Sequence, residues 1–73
     1  MDDAAFGRIL KQMREKKGLS QEELAFKAEL HRTYVSQLER GVKSPSLKTI
    51  HRLAKALGLS SSALLRKAER KST

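Results

Sequence analysis

Four side chains suited to recognition rather than reaction stand within six positions: Arg32, Thr33, Ser36 and Gln37. On a helix turning about 100° per residue they fall within roughly one 140° arc, while Tyr34, Val35 and Leu38 occupy the opposite side. Arg and Gln carry forked or paired hydrogen-bonding groups that match base edges, guanine for Arg and adenine for Gln; Thr can touch a thymine methyl, and Ser can serve a base or a phosphate. Such a face implies the chemistry of reading a duplex, with the apolar side gripping the protein. Taken singly, each of these residues is equally at home on a solvated helix surface. Only their gathering on one face sets them apart.

No reactive constellation competes with this face. His31 and His51 lie far apart, with neither cysteine nor a carboxylate at metal-ligand spacing, so no metal site is expected. Asp2 and Asp3 stand at the head of a helix, where capping and the helix dipole account for them. Ser20, Ser44 and Ser60 to Ser62 are explained by caps and turns, and no glycine-rich phosphate loop is present. Neither a catalytic residue nor a cofactor is expected.

The elements that must hold the face are short. A chain of 73 residues supports one domain, with a core that is marginal without staples, and the absence of cysteine removes disulfides and fits a reducing compartment. No stretch approaches the roughly 18 apolar residues of a membrane span. The opening MDDAAFGRIL is acidic where a secretory signal is basic, so the mature protein is expected to be the whole chain. The net charge of +8 is unevenly placed: residues 1–39 hold seven basic and seven acidic residues, whereas residues 40–73 hold nine basic residues and only Glu69 acidic. That asymmetry favours a polyanionic partner, nucleic acid or an anionic membrane surface; a merely solubilising surface is the plainer alternative.

Gly18, Gly41 and Gly58 each follow an amphipathic run, which divides the chain into five helices and leaves no strand pattern. The first, about 3–17, places Phe6, Ile9, Leu10 and Met13 on one face. Ser20 with Glu23 forms a capping box, so the second starts at Gln21 and turns Leu24, Ala25 and Ala28 inward. The third runs from Arg32 to about Arg40. The segment GVKSPS then breaks the pattern at Pro45, and Ser46 caps a fourth helix carrying Leu47, Ile50, Leu53, Ala54 and Leu57. Ser60 caps the fifth, with Ala63, Leu64 and Ala68 inward and a polar tail at about 70–73 expected to fray.

With Gln21, Ala25, Val35, Leu38, Glu39 and Gly41 in place, the chain resembles the Cro and phage-repressor (XRE) class of helix-turn-helix regulators over about Phe6 to Leu65. The runs GLSQEELA, HRTYVSQLERG and PSLKTIHRLAKALGLS carry the likeness. Within that class the compact size and the middle run look most like the controller proteins of restriction-modification systems. The resemblance implies an all-α, five-helix, lambda-repressor-like DNA-binding domain with its helix-turn-helix at about 20–40. It implies base contacts from Arg32, Thr33, Ser36 and Gln37, a phosphate contact from Gln21, and backbone contacts from Arg40, Lys43 and Ser44. It further implies that Arg14 and Glu39 form a buried ion pair tying the first helix to the end of the third. Two positions depart from the usual pattern. Glu29 stands where Gly or Asn often makes the turn, at a cost on the order of 1 kcal/mol if left-handed. His31 stands where Ser, Thr or Asp normally caps the third helix.

Function follows as an expectation: a cytoplasmic, sequence-specific regulator of transcription, with double-stranded DNA as partner and no chemistry of its own. A single such unit reads only a few base pairs, so a twofold dimer is expected on a pseudo-palindromic operator, with recognition helices about 34 Å apart. Leu59, Leu64 and Leu65 suggest pairing through the fourth and fifth helices; completing the core is their other use. Whether RNA polymerase is also touched is left open. The rival partners are a toxin protein, as for an antitoxin-type repressor, and another protein bridged by the same surface. A membrane-surface role for the basic last helix ranks lowest, because its apolar residues already have a globular use.

Overall fold

The computed structural model describes residues 2–72, and among them lie five helices and no strand. In chain order they are α1 (Asp3–Lys16), α2 (Gln21–Ala28), α3 (Arg32–Glu39), α4 (Leu47–Ala56) and α5 (Ser61–Ser72). Four of the five starts are capped by a side chain. The Asp2 carboxylate accepts the Ala5 N–H at 2.7 Å, Ser46 Oγ accepts from the Thr49 N–H at 3.1 Å, and Ser60 Oγ accepts from the Ala63 N–H at 3.1 Å. The box at α2 closes from both sides, Glu23 N–H to Ser20 Oγ at 3.0 Å and Ser20 N–H to Glu23 Oε1 at 2.8 Å. The ends are as local: Gly18, Gly41 and Gly58 all take left-handed φ.

Packing joins α1 to α3 and α5, α2 to α3 and α4, and α4 to α5, within an envelope of 30 × 23 × 22 Å. The centre is filled by Phe6, Leu10, Leu24, Val35, Leu38, Leu53, Leu57 and Leu64. Gly7 sets the closeness of α1 to α3, because a Cβ there would run into the backbone carbonyl oxygens of Leu38 and Glu39. Gly41 does the same one turn outward: its φ is +74°, and an added Cβ would lie 2.9 Å from Ala4 Cα. The end of α3 is thereby seated on the start of α1 with no side chain between them.

Three details differ from the sequence expectation. Helix α3 ends at Glu39, with Arg40 as its cap. Helix α5 continues to Ser72, so the expected polar tail is helical as far as that residue, while Thr73 lies outside the described residues. Of the three leucines considered for pairing, Leu64 is completely buried, and Leu59 and Leu65 are half-buried against the core. The large apolar side chains left in solvent are instead Phe26 at 84%, Leu47 at 80% and Val42 at 59%. No helix among the described residues is long and apolar enough to cross a membrane.

Candidate nucleic-acid interface

The connection from α2 to α3 is three residues long, and Glu29 makes it possible by taking φ 58°, ψ 44°. The Leu30 N–H then reaches back to the Ala25 carbonyl at 2.8 Å, while Leu30 packs partly against the core. His31 stands at the cap position of α3 without a side-chain cap, as its type predicts. Helix α3 is therefore held from its inner side: Val35 and Leu38 are completely buried, and Tyr34 is half-buried with its hydroxyl 3.5 Å from Thr49 Oγ1. The tyrosine hydroxyl thus meets α4.

On the outer side Arg32 and Thr33 are exposed, and Ser36 and Gln37 are half-exposed, so the four polar side chains keep a common outward face. Gln21, at the first position of α2, adjoins this face. It lines a shallow cleft of about 190 Å³ with Arg32, Thr33 and Ser36. Its amide nitrogen also donates to Glu39 Oε1 at 3.0 Å. Positions 32, 36 and 39 form one stripe along α3, so Gln21 lies along one flank of the helix. An amide nitrogen has two hydrogens, and the bond to Glu39 uses one of them.

Behind the face runs a charged anchor. Arg14 Nε donates to Glu39 Oε2 at 2.6 Å and its Nη2 to Glu39 Oε1 at 3.0 Å, while Nη1 donates to the Leu19 carbonyl at 2.8 Å. The two side chains are only 10% and 3% exposed. Hydrogen bonding to Glu39 raises the Arg14 pKa above its ordinary value, against the opposing effect of burial. A forked cation on a carboxylate, with the remaining donor on a backbone carbonyl, is the geometry that makes a buried pair tolerable. It joins α1, the α1–α2 connection, α2 and the end of α3. The ion pair implied by the family resemblance is present; the roles of Gln21 and Leu19 in it carry no signal in their own sequence positions.

Beyond α3, Arg40, Lys43 and Ser44 are all exposed. Ser44 is not left to solvent: its Oγ donates to the Asp3 carboxylate at 2.6 Å, across 41 positions. Nothing in the sequence pairs these two residues, because their meeting depends on how α1 docks. His51, also exposed, has Nδ1 3.4 Å from Ser61 Oγ. Among the described residues no group of three or more His, Cys, Asp or Glu is placed to hold a metal ion.

Comparison with known proteins adds to this geometry. Residues 10–64 match the helix-turn-helix family model. Control protein C.BamHI of Bacillus amyloliquefaciens is 48% identical over 61 residues, covering 82% of this chain and 75% of that protein. The crystal structure of the restriction-modification controller protein C.AhdI from Aeromonas hydrophila superposes with TM-score 0.81 at 46% identity, covering 84% of this chain and 92% of that one. The clp gene regulator ClgR from Corynebacterium glutamicum superposes with TM-score 0.87 at 34% identity, over 93% of this chain and 72% of that one.

Proposed function

The chain belongs to the helix-turn-helix family of Cro- and phage-repressor-type (XRE) regulators, and from that premise we propose that it binds a pseudo-palindromic operator as a homodimer and controls transcription as a restriction-modification controller does. The observation that carries this reading is the outward polar face of α3 set directly against the buried Val35 and Leu38. A rigid helix gripped on one side and uncovered on the other fits the major groove, which is wide enough to admit it. Arg32, Thr33, Ser36 and Gln37 contact base edges. Gln21 spends its second N–H on a phosphate, helped by the positive end of α2. Arg40, Lys43 and Ser44 meet the sugar-phosphate backbone past the end of α3.

The dimer forms through α4 and α5. Support comes from the apolar surface still open there, with Leu59 and Leu65 half-exposed and Leu47, the first residue of α4, at 80%. Such a regulator works in the bacterial cytoplasm, on the nucleoid, where its duplex is. In vitro selection of bound duplexes tests the whole reading. Two similar half-sites with centres about one helical turn apart are expected. Recovery of duplexes with no shared sequence would overturn it.

A further inference from the structure

Two acids open α1, and only one of them caps it. Asp2 accepts the Ala5 N–H; the next residue, Asp3, instead takes the hydroxyl hydrogen of Ser44 at 2.6 Å. Ser44 lies in the connection between α3 and α4, beside Lys43 and four positions after Arg40. The two segments are fixed relative to one another, because Gly41 lies against Ala4 with no room for a Cβ and Gly7 seats α1 on the last carbonyls of α3. The backbones that carry Asp3 and Ser44 are thus held close together, and a phosphate that approaches Ser44 approaches a carboxylate as well.

We propose that Asp3 is a built-in brake on backbone binding: it occupies the Ser44 hydroxyl and sets a fixed negative charge beside the phosphate position. This inference rests on the assignment of Arg40, Lys43 and Ser44 to the backbone. Phosphate contacts are shared by every sequence, so a carboxylate at this place weakens specific and random binding together. Its effect is to shorten the time spent on random DNA, where the α3 face has no matching base edges to hold it. A basic chain of net charge +8 has reason for such restraint, because its attraction to any duplex is otherwise strong.

The test compares wild type, Asp3→Asn, Asp3→Ala, Ser44→Ala and Asp3→Ala/Ser44→Ala on one selected operator and one random duplex, across salt concentrations. Helix content by circular dichroism and melting temperature are checked for each. Both Asp3 variants are expected to bind the two duplexes more tightly by about three- to tenfold per subunit, hence about ten- to hundredfold for the dimer, the effect of one unit charge in each subunit a few ångström from a phosphate in water-like surroundings. Their salt dependence is expected to steepen. Ser44→Ala is expected to cost more in the Asp3→Ala background than in wild type, because only there is the hydroxyl released; an asparagine carbonyl oxygen would still accept it. Unchanged or weaker binding by folded Asp3→Asn and Asp3→Ala overturns the brake while leaving the regulator reading intact. A wild-type chain that fails to prefer the operator overturns that reading instead, and the brake with it.

Discussion

Gln37 and Lys43 differ in what they can tell apart. A paired amide on a base edge discriminates, whereas an ammonium beside a phosphate does not. Gln37→Ala should relax preference at one base pair of each half-site by about 1–3 kcal/mol, and Lys43→Ala should weaken all duplexes alike and reduce the salt slope by about one per subunit; binding titrations on single-base operator variants separate the two. Arg14 acts at the same scale through stability. Arg14→Met leaves the Glu39 carboxylate, 3% exposed, without its cation, and a loss of about 3–5 kcal/mol in urea unfolding is expected. The outward face of α3 was legible in the sequence because spacing alone fixes which way successive side chains point on a helix. The Ser44–Asp3 and Gln21–Glu39 bonds were not legible. They depend on how α1 and α2 dock on α3, and no local pattern records that.

At the scale of elements, the turn at Glu29 decides where α3 begins and how it is aimed, since α3 has no side-chain cap of its own. The starts of α2, α4 and α5 were readable from Ser20, Ser46 and Ser60, since a cap is a contact within four residues. The length of α5 was not, because Arg70, Lys71 and Ser72 carry no stop signal and their polarity alone suggested a tail. Glu29 carries the main-chain cost of the turn at φ 58°. Glu29→Gly should therefore stabilise the domain by on the order of 1 kcal/mol in thermal or urea melts, with operator affinity unchanged. The box at α2 is sensitive to acid. The Ser20 backbone N–H, and secondarily its hydroxyl, hold the Glu23 pKa below the ordinary glutamate value. A lowered folded-state pKa means that its contribution is complete above the ordinary value and fades as pH falls through the lowered one. Melts recorded down through the carboxylate range should show a component that Glu23→Gln lacks.

For the whole molecule, charge and pairing govern binding together. Because the excess of positive charge lies after Glu39, the operator complex should weaken steeply as salt rises, whereas the dimer proposed through apolar contact should persist; sedimentation at two salt concentrations alongside mobility shifts checks both. A dimer that dissociates on the same salt scale would place the pairing surface elsewhere than on α4 and α5. The core was readable as a set of residues, down to Leu53, Leu57 and Ala68, except that Leu47, grouped with them by spacing, is 80% exposed because it opens α4 with no neighbour over it. The division of Leu59, Leu64 and Leu65 between core and surface was not, since helical spacing gives direction but not the depth to which a neighbour covers it. The missing Cβ at Gly7 has one more consequence. With carbonyl oxygens standing where a side chain would give, the reading helix cannot settle any closer to α1 at this crossing. Any mismatch of curvature must then be absorbed by the nucleic acid, so operators should be favoured partly for how readily their untouched central steps kink or narrow.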